Sequence, residues 1–428
     1  MKKLNIAIIG LGNIGSYLFK FLNKNKRILG EKNNCIPVIT YVSAKNKTRK
    51  RNIKIKKKQW LNNYLEATTN KNIDLIVELI GGAEGPAKKL VFNALKNKKH
   101  VVTANKALIA KYGDQLAKIA EKNKVNLEFE AAVCGGVPII RSLKEGLIAN
   151  KIYKIYGIFN GTSNYILTSM EKHKRNFNEV LKDAKKLGYA ESNPSSDLNG
   201  DDVSAKLKIL SSLCFNSFLN HNIQVEGIKD IDKNDIENAN KLGYKIKLLG
   251  YSELINNKIY QRVHPTLIKK NSYVASIDGV LNAVIIDGKP VGQSIIQGEG
   301  AGPTATTSAL VSDISSILRG NIKFPFSIRD KERKNLKFEN ISHRFFSVYL
   351  RLEVLDRPGV LSNITNIFSK NNVSIKRLVQ NPNKEKGSSS IIIITHNSKD
   401  MYIKKILKEI AKKNYIRRKT KLIRIDEN

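Results

Sequence analysis

The sequence predicts an α/β chain of three folded units: a parallel sheet wound with helices, a mixed α+β unit, and a small ferredoxin-like unit. Three observations predict it. Over roughly the first third, short continuous apolar runs alternate with helical patterns, as strands buried on both faces of a parallel sheet do. From about Asn150 the strand-like segments alternate apolar and polar residues instead, the mark of half-buried strands. After a charged, proline-containing stretch at 321–343, the order strand, helix, strand, strand, helix, strand appears, which is the ferredoxin-like pattern. A length of 428 residues suits two or three cores better than one.

Taken in order, 4–9 is an apolar run that ends in "GLGNIG" and passes into a helical pattern through Leu22, giving strand, tight turn and helix. Further strands are predicted at 36–42, at 73–80 (closed by Gly81 and Gly82), at 100–105 and at 125–133, with helices at 87–97 and 106–122 between them. In the second unit "KIYKIYGIFNG", "KIYQRVHPTLI" and "LNAVIIDG" read as strands. Residues 304–320 read as a helix with small residues on one face and a glycine stop. In the third unit "FFSVYLRLEVL", "VSIKRLVQN", "SSSIIIITH" and "YIRRKTKLIRI" are strands, and "DRPGVLSNITNIFSKNN" and 399–412 carry the helices. The boundaries are 1–135, 136–302, a linker at 321–343, and 344–428, with the lysine-rich 45–58 a solvated loop.

The net charge of +38 invites a nucleic-acid reading. The lysines, however, are spread over almost every segment, and aromatics do not interleave with them as base-stacking residues would. A lysine- and asparagine-rich bias on solvated faces accounts for the charge, so no nucleic-acid partner is expected. Three distant cysteines without metal-ligand spacing suit reduced thiols. No apolar run reaches the length of a membrane span. The opening "MKKLNIAIIGLG" imitates a signal peptide but lacks a small-residue cleavage site, and a cytoplasmic location is expected.

Gly10, Gly12 and Gly15 form G-x-G-x-x-G between a strand and a helix. The first glycine permits the turn, the second lets backbone approach a pyrophosphate, and the third lets helix and strand pack closely. With Leu11, Asn13 and Ile14 they make a phosphate cradle at a helix N-terminus. NAD-preferring folds end the second strand with an acid. This strand ends "YVSAKNKTRK", offering Ser43, Lys45 and Arg49 and no acid, which favours NADP, with NAD possible.

The segment "GYAESNPSSDLNGDDVSAKLKIL" gathers Glu191, Asp197, Asp201 and Asp202 in an otherwise basic chain. Asp202 and Lys206 lie four apart and share a helix face. An acid there can hold an ammonium in place, and burial can tune that lysine for proton transfer. An ordinary helical ion pair is the plainer reading. Glu191 sits in a turn where a carboxylate could receive an ammonium ligand, or be a solvated loop acid. Lys106 follows a strand end, where open α/β sheets place ligands; alternatively it is a surface lysine opening a helix. Together these features point to a nicotinamide dehydrogenase of a small cationic or zwitterionic substrate, with lysine as acid–base.

The chain resembles homoserine dehydrogenases that carry a C-terminal ACT regulatory domain, over nearly its whole length. The resemblance rests on "GLGNIG", "IVELIGG", "VVTANKALIA", "EAAVCGGVPIIRSL", "GIFNGTSNYIL", the acidic segment above, "HPTLI", "GEGAGPTATTSALVSDI" and "RLEVLDRPGVL" in this order. It implies reversible NAD(P)-dependent reduction of L-aspartate 4-semialdehyde to L-homoserine, on the route to threonine, methionine and isoleucine. It implies a Rossmann domain at 1–135 completed by helix 303–320, a substrate-binding and dimerisation domain at 136–302, and an ACT domain at 344–428.

For the site, the resemblance implies Lys206 as the proton donor or acceptor and Lys106 as a second active-site lysine near the nicotinamide. Glu191 would bind the substrate amino group, with Asp202, Gly188 and Asp197 around the substrate. Thr103 and Gly300 would lie beside the cofactor. A monovalent cation, usually sodium, is implied at Glu130, Val133, Gly135 and Val137, mostly through backbone carbonyls. The family often reads "EADP" where this chain has "ESNP", so Asn193 replaces an aspartate. A homodimer or homotetramer and an amino-acid effector such as threonine are implied at the same level. The alternative from another class is a non-catalytic sensor of NADP and an amino acid. A fusion with aspartate kinase has no room before Gly10.

Overall fold

The computed structural model describes residues 1–219, 223–382 and 387–426. The first unit is a five-stranded, fully parallel sheet. Its strands are β1 (Lys2–Ile9), β2 (Cys35–Ser43), β3 (Leu75–Glu78), β4 (His100–Thr103) and β5 (Leu127–Glu128), in the order β2-β1-β3-β4-β5. Helices α1 (Asn13–Asn33), α2 (Pro86–Lys96) and α3 (Lys106–Asn123) make the crossovers. The order reverses at β1, so the crevice between the carboxyl ends of β1 and β3 is the expected ligand position.

Two segments depart from the sequence reading. Helix α1 continues eleven residues past Leu22. Gly30 lets it pass Ile36, whose Cγ1 would lie 2.9 Å from an added Cβ, and Asn34 stops it at φ 51°. The strand predicted at 125–133 is cut to Leu127–Glu128. The Glu130 N–H is drawn to Asp313 Oδ2 at 2.9 Å, and the chain coils into a single 3-10 turn, Glu130–Ala132. A continuous apolar run does not reveal such a turn.

The second and third units share one sheet. Strands β6 (Lys151–Ile158), β7 (Tyr244–Ile255), β8 (Lys258–Lys269), β9 (Leu281–Lys289) and β10 (Gly292–Glu299) lie in the central unit. The C-terminal unit supplies β11 (Phe345–Leu355), β12 (Ile375–Pro382), β13 (Ser388–Thr395) and β14 (Lys421–Asp426). The path runs β10-β9-β6-β7-β8-β14-β11-β13-β12. The outer edge of β8 is covered piecemeal, always in parallel: Lys258–Ile259 by Lys337–Phe338, Arg262–Val263 by Gln224–Val225, and Thr266–Ile268 by β14.

Helices α4 (Gly161–His173), α5 (Phe177–Lys186), α6 (Ser195–Asn199), α7 (Asp201–Phe215) and α8 (Lys233–Lys241) belong to the central unit. Of these, α4, α7 and α8 pack against its strands. Helix α9 (Pro303–Leu318) returns to pack against α1. Helices α10 (Val360–Lys370) and α11 (Asp400–Ile410) complete the βαββαβ order of the C-terminal unit.

The segment at 321–343 is more than a tether. Arg333 has a fully buried side chain that donates to Asp114 Oδ1 at 2.6 Å on α3, and to Ser212 Oγ at 2.9 Å and Ser217 O at 2.8 Å at the end of α7. Its guanidinium lies 4.1 Å from the Phe326 ring centroid. It fastens together the two helices whose N-termini meet at the site described next.

Candidate active site

The glycine loop shows a different constraint at each glycine. At Gly10 (φ 108°) a Cβ would fall 2.4 Å from Leu79 O, and at Gly15 it would fall 2.0 Å from Gly10 O. At Gly12 nothing lies within 4 Å, so the cradle is open there. Gly12 is also the N-cap of α1, which has no side-chain cap and no acid in its first turn. The helix therefore presents free N–H groups and its positive end to an anion. Leu11 is buried and Asn13 exposed, with Ile14 between those extremes. These features fit a dinucleotide pyrophosphate.

A cavity of about 380 Å³ borders this loop, lined in part by Gly12, Ser16, Arg49, Lys50 and Arg51. Arg51 was not singled out in the sequence. Its Nε donates to Leu11 O at 3.0 Å and its Nη2 to Asn46 O at 2.6 Å, tying the loop after β2 to the glycine turn. Ser43 is buried, and its carbonyl accepts the Gly10 N–H at 2.9 Å; Lys45 is exposed. A larger cavity, about 950 Å³, lies across α1 and β2 and touches none of the acid–lysine cluster.

At the end of β3, the buried Glu78 accepts from Ile80 N at 2.7 Å and Gly81 N at 3.0 Å, while Thr103 Oγ1 donates to its other oxygen at 2.5 Å. Thr103 is thus fully buried, with its hydroxyl committed to Glu78. Asn105 caps α3 by accepting Leu108 N at 3.1 Å and anchors the facing loop by donating to Gly82 O at 2.7 Å. That places Lys106 at the first position of α3.

Helix α7 starts after Gly200 (φ 89°) with Asp201 and Asp202 in its first turn, where acids complement the helix dipole. Most of this helix is buried, so its polar pair is carried inward. Asp202 is 2% exposed and is held from three sides. Lys206 Nζ lies 2.8 Å from its Oδ2, Lys106 Nζ 2.6 Å from its Oδ1, and Asn160 Nδ2 2.9 Å from Oδ2. The Asn160 amide also donates to Asp197 Oδ1 at 2.8 Å, and Lys206 donates to Phe159 O at 2.6 Å. The end of β6 thus organises both charges of the pair.

Burial alone would raise the Asp202 carboxyl, but the Lys206 and Lys106 ammoniums outweigh it and hold the group well below the usual carboxylate range. Burial would lower Lys206, yet Asp202 outweighs it and the lysine is raised. It is therefore a protonated donor at neutral pH, where burial alone would have tuned it downward. Asp197 is raised, first by burial and then by the negative Asp202. Cys134, buried nearby at φ 55°, is pushed up to about 11 by burial and stays a neutral thiol. Glu191 and Gly188 (φ 76°) lie exposed on the loop between α5 and α6. That loop is fastened to the start of α4 by the bond from Thr162 Oγ1 to Tyr189 O at 2.6 Å. Asn193 Oδ1 accepts from Ser195 Oγ at 2.7 Å in the same loop.

The turn after β5 brings Glu130, Val133, Gly135 and Val137 together. The Glu130 carboxylate, raised to about 7 by burial, accepts from Ile140 N at 2.9 Å and Arg141 N at 2.7 Å. Main-chain carbonyls are then the available donors. Val137 O takes the Ile139 N–H at 2.7 Å and Glu130 O the Val133 N–H at 3.3 Å, each retaining a second lone pair. An all-oxygen set of this kind fits a hard cation. Among the described residues no cluster of three or more His, Cys, Asp or Glu is arranged for a metal. The turn packs against Gly300: a Cβ on Gly135 would meet Gly300 O at 2.6 Å, and one on Gly300 would meet the buried Asn282 amide at 2.3 Å.

Three family profiles match: "Homoserine dehydrogenase, NAD binding domain" over 10–130, "Homoserine dehydrogenase" over 138–315 and "ACT domain" over 348–413. The chain is 37% identical over 438 residues to the homoserine dehydrogenase of Neisseria gonorrhoeae, covering 100% of this chain and 99% of the relative. To that of Bacillus subtilis it is 34% identical over 434 residues, covering 100% and 99%. The crystal structure of a homoserine dehydrogenase from Thiobacillus denitrificans superposes with a TM-score of 0.91 at 35% identity, covering 100% of this chain and 99% of that one.

Proposed function

Because this chain belongs to the homoserine dehydrogenase family, we propose that the Asp202-centred cluster carries out that family's chemistry. The reaction is the reversible NAD(P)-dependent reduction of L-aspartate 4-semialdehyde to L-homoserine in threonine, methionine and isoleucine biosynthesis. The single observation that supports the site assignment is the grip of both lysines, one from each unit, on one buried carboxylate.

When bound, the reduced nicotinamide supplies a hydride to the aldehyde carbon. Lys206 gives its proton to the oxygen that becomes the hydroxyl, and takes it back in the reverse direction. Asp202 keeps that ammonium charged and aimed, and Lys106 adds a second positive charge beside the developing alkoxide. Glu191 and Asp197 receive the substrate ammonium. The raised Lys206 sets the pH dependence: its neutral form is scarce near pH 7 and grows as pH rises.

The test is the appearance of reduced-nicotinamide absorbance with L-homoserine, across pH, with NADP and NAD, with and without threonine. Homoserine oxidation is expected to climb with pH by up to roughly tenfold per unit where one deprotonation limits it. Cofactor binding without turnover would instead support the sensor reading.

NADP is the preferred cofactor in this reading, supported by Arg49, Lys50 and Arg51 beside the glycine loop. Arg49→Ala is expected to lower kcat/KM with NADP about tenfold or more while changing NAD little, as loss of one charge-assisted phosphate contact should. Parallel loss with both cofactors would sink the assignment. A sodium ion held by the carbonyls of Glu130, Val133, Gly135 and Val137 would brace the turn against Gly300. Threonine at the ACT domain, a homodimer or homotetramer, and a cytoplasmic setting complete the proposal. No helix among the described residues is long and apolar enough to cross a membrane.

A further inference from the structure

One side chain touches two acids of the site, Asp197 and Asp202. Asn160 follows β6 and is 4% exposed. Its Oδ1 accepts the Ser163 N–H at 2.7 Å, capping α4, and its Nδ2 donates to Asp197 Oδ1 at 2.8 Å and Asp202 Oδ2 at 2.9 Å. The amide orientation is fixed by its partners: a backbone N–H needs the oxygen and two carboxylates need the two N–H bonds. Asp202 is buried and Asp197 half-buried, and both accept from the same amide nitrogen; two carboxylates this close repel, and a neutral donor between them lowers the cost of ionising both.

We propose that Asn160 is a positioning residue of the reaction, holding Asp197 and Asp202 side by side as one acceptor pair, and is more than a helix cap. This inference rests on the assignment of Asp202 and Lys206 to proton transfer. Asp197, on α6, is faced by Asp202 and Lys206 on α7, by Lys106 on α3, and by the Asn160 amide at the start of α4. Cys134 on the turn after β5 faces Lys206 and Asp202 in turn. Without the amide, nothing neutral separates the acids, and a proton shared between them becomes favourable at higher pH.

Asn160→Asp separates the two roles, because Asp caps a helix about as well as Asn but places a third carboxylate where the donor was. The expected result is an acid limb of kcat/KM, measured in the reduction direction, moved up by at least about one pH unit. NADPH affinity should stay within about threefold, since the glycine cradle is untouched. Asn160→Ser, which caps the helix and reaches one acid, should give a smaller shift the same way. Carboxyl-carbon NMR titration of Asp197 in the full chain reads the effect without turnover and should move upward in both variants. Unchanged pH profiles and an unchanged Asp197 titration would overturn the proposal. Failure of the unsubstituted chain to turn over homoserine would defeat the reaction assignment, while the carboxyl titration would still decide the role of Asn160.

Discussion

Lys206→Met is expected to lower homoserine turnover by at least about a thousandfold, some 4 kcal/mol of transition-state stabilisation, and to leave NADPH binding within about twofold. Methionine approximates the lysine volume and fills the same buried slot without a proton to give. The lost contacts are those to Asp202 Oδ2 at 2.8 Å and Phe159 O at 2.6 Å. Asp202 keeps Lys106 and Asn160 as partners, so the carboxylate is not orphaned. Single-turnover absorbance and a fluorescence titration with NADPH separate the two effects. Turnover within tenfold of the unsubstituted protein would remove Lys206 from proton transfer, and loss of cofactor binding in parallel would show a structural lysine.

Asp202→Asn should be the more damaging change to the fold. It leaves Lys206, 7% exposed, without its hydrogen-bonded counter-charge and with only the half-buried Asp197 carboxylate nearby, and breaking a buried pair by deleting one partner costs about 3–5 kcal/mol. It also reverses a sign. In the unsubstituted protein Lys206 is raised, so the folded state holds its proton more tightly than the unfolded chain. That contribution is complete below the usual lysine range and fades as pH rises through the raised value. In the variant, burial acts without Asp202 and lowers the lysine, so the folded state binds the proton less tightly and stability grows with pH towards the usual lysine range. Thermal unfolding of both proteins from neutral to alkaline pH should therefore show converging curves. Parallel curves would mean that Asp202 does not set the charge state of Lys206.

Much of this was readable from the chain because the chemistry is local. The glycine fingerprint is legible because each glycine answers a backbone constraint within a short stretch and its neighbouring strand. Asp202 and Lys206 are legible because helix geometry puts positions four apart on one face. The contact between Lys106 and Asp202 depends on how two units meet, and no spacing rule carries it. Asn160 announces only a helix start in "FNGTSN", and its second role exists only once α6 and α7 converge on it. Arg51 and Arg333 were hidden by composition. Among 75 basic residues, nothing in the sequence marks Arg51, which ties its loop to the glycine turn, or the buried Arg333, which ties two helices together. The overlong fifth strand failed because a continuous apolar run is silent about where the backbone bends. Glu191, grouped with the acids by sequence, sits exposed on its loop rather than inside the ion-pair cluster.

The piecemeal cover along β8 bears on how far this enzyme is modular. The ACT unit contributes β14, which pairs directly with Thr266–Ile268, and the linker contributes the strand on Lys258–Ile259. Arg351 of the same unit reaches Asp235 on α8 at 2.8 Å. A cut at the linker would therefore pass through a sheet rather than between finished domains. It would strip hydrogen-bond partners from both ends of a long interior strand, leaving only Gln224–Val225 over its middle and opening edge on either side, a template for self-association. Domain attachment and edge protection are thereby joined in one seam: the segment that could be discarded as an accessory also covers part of the edge of a catalytic-unit strand.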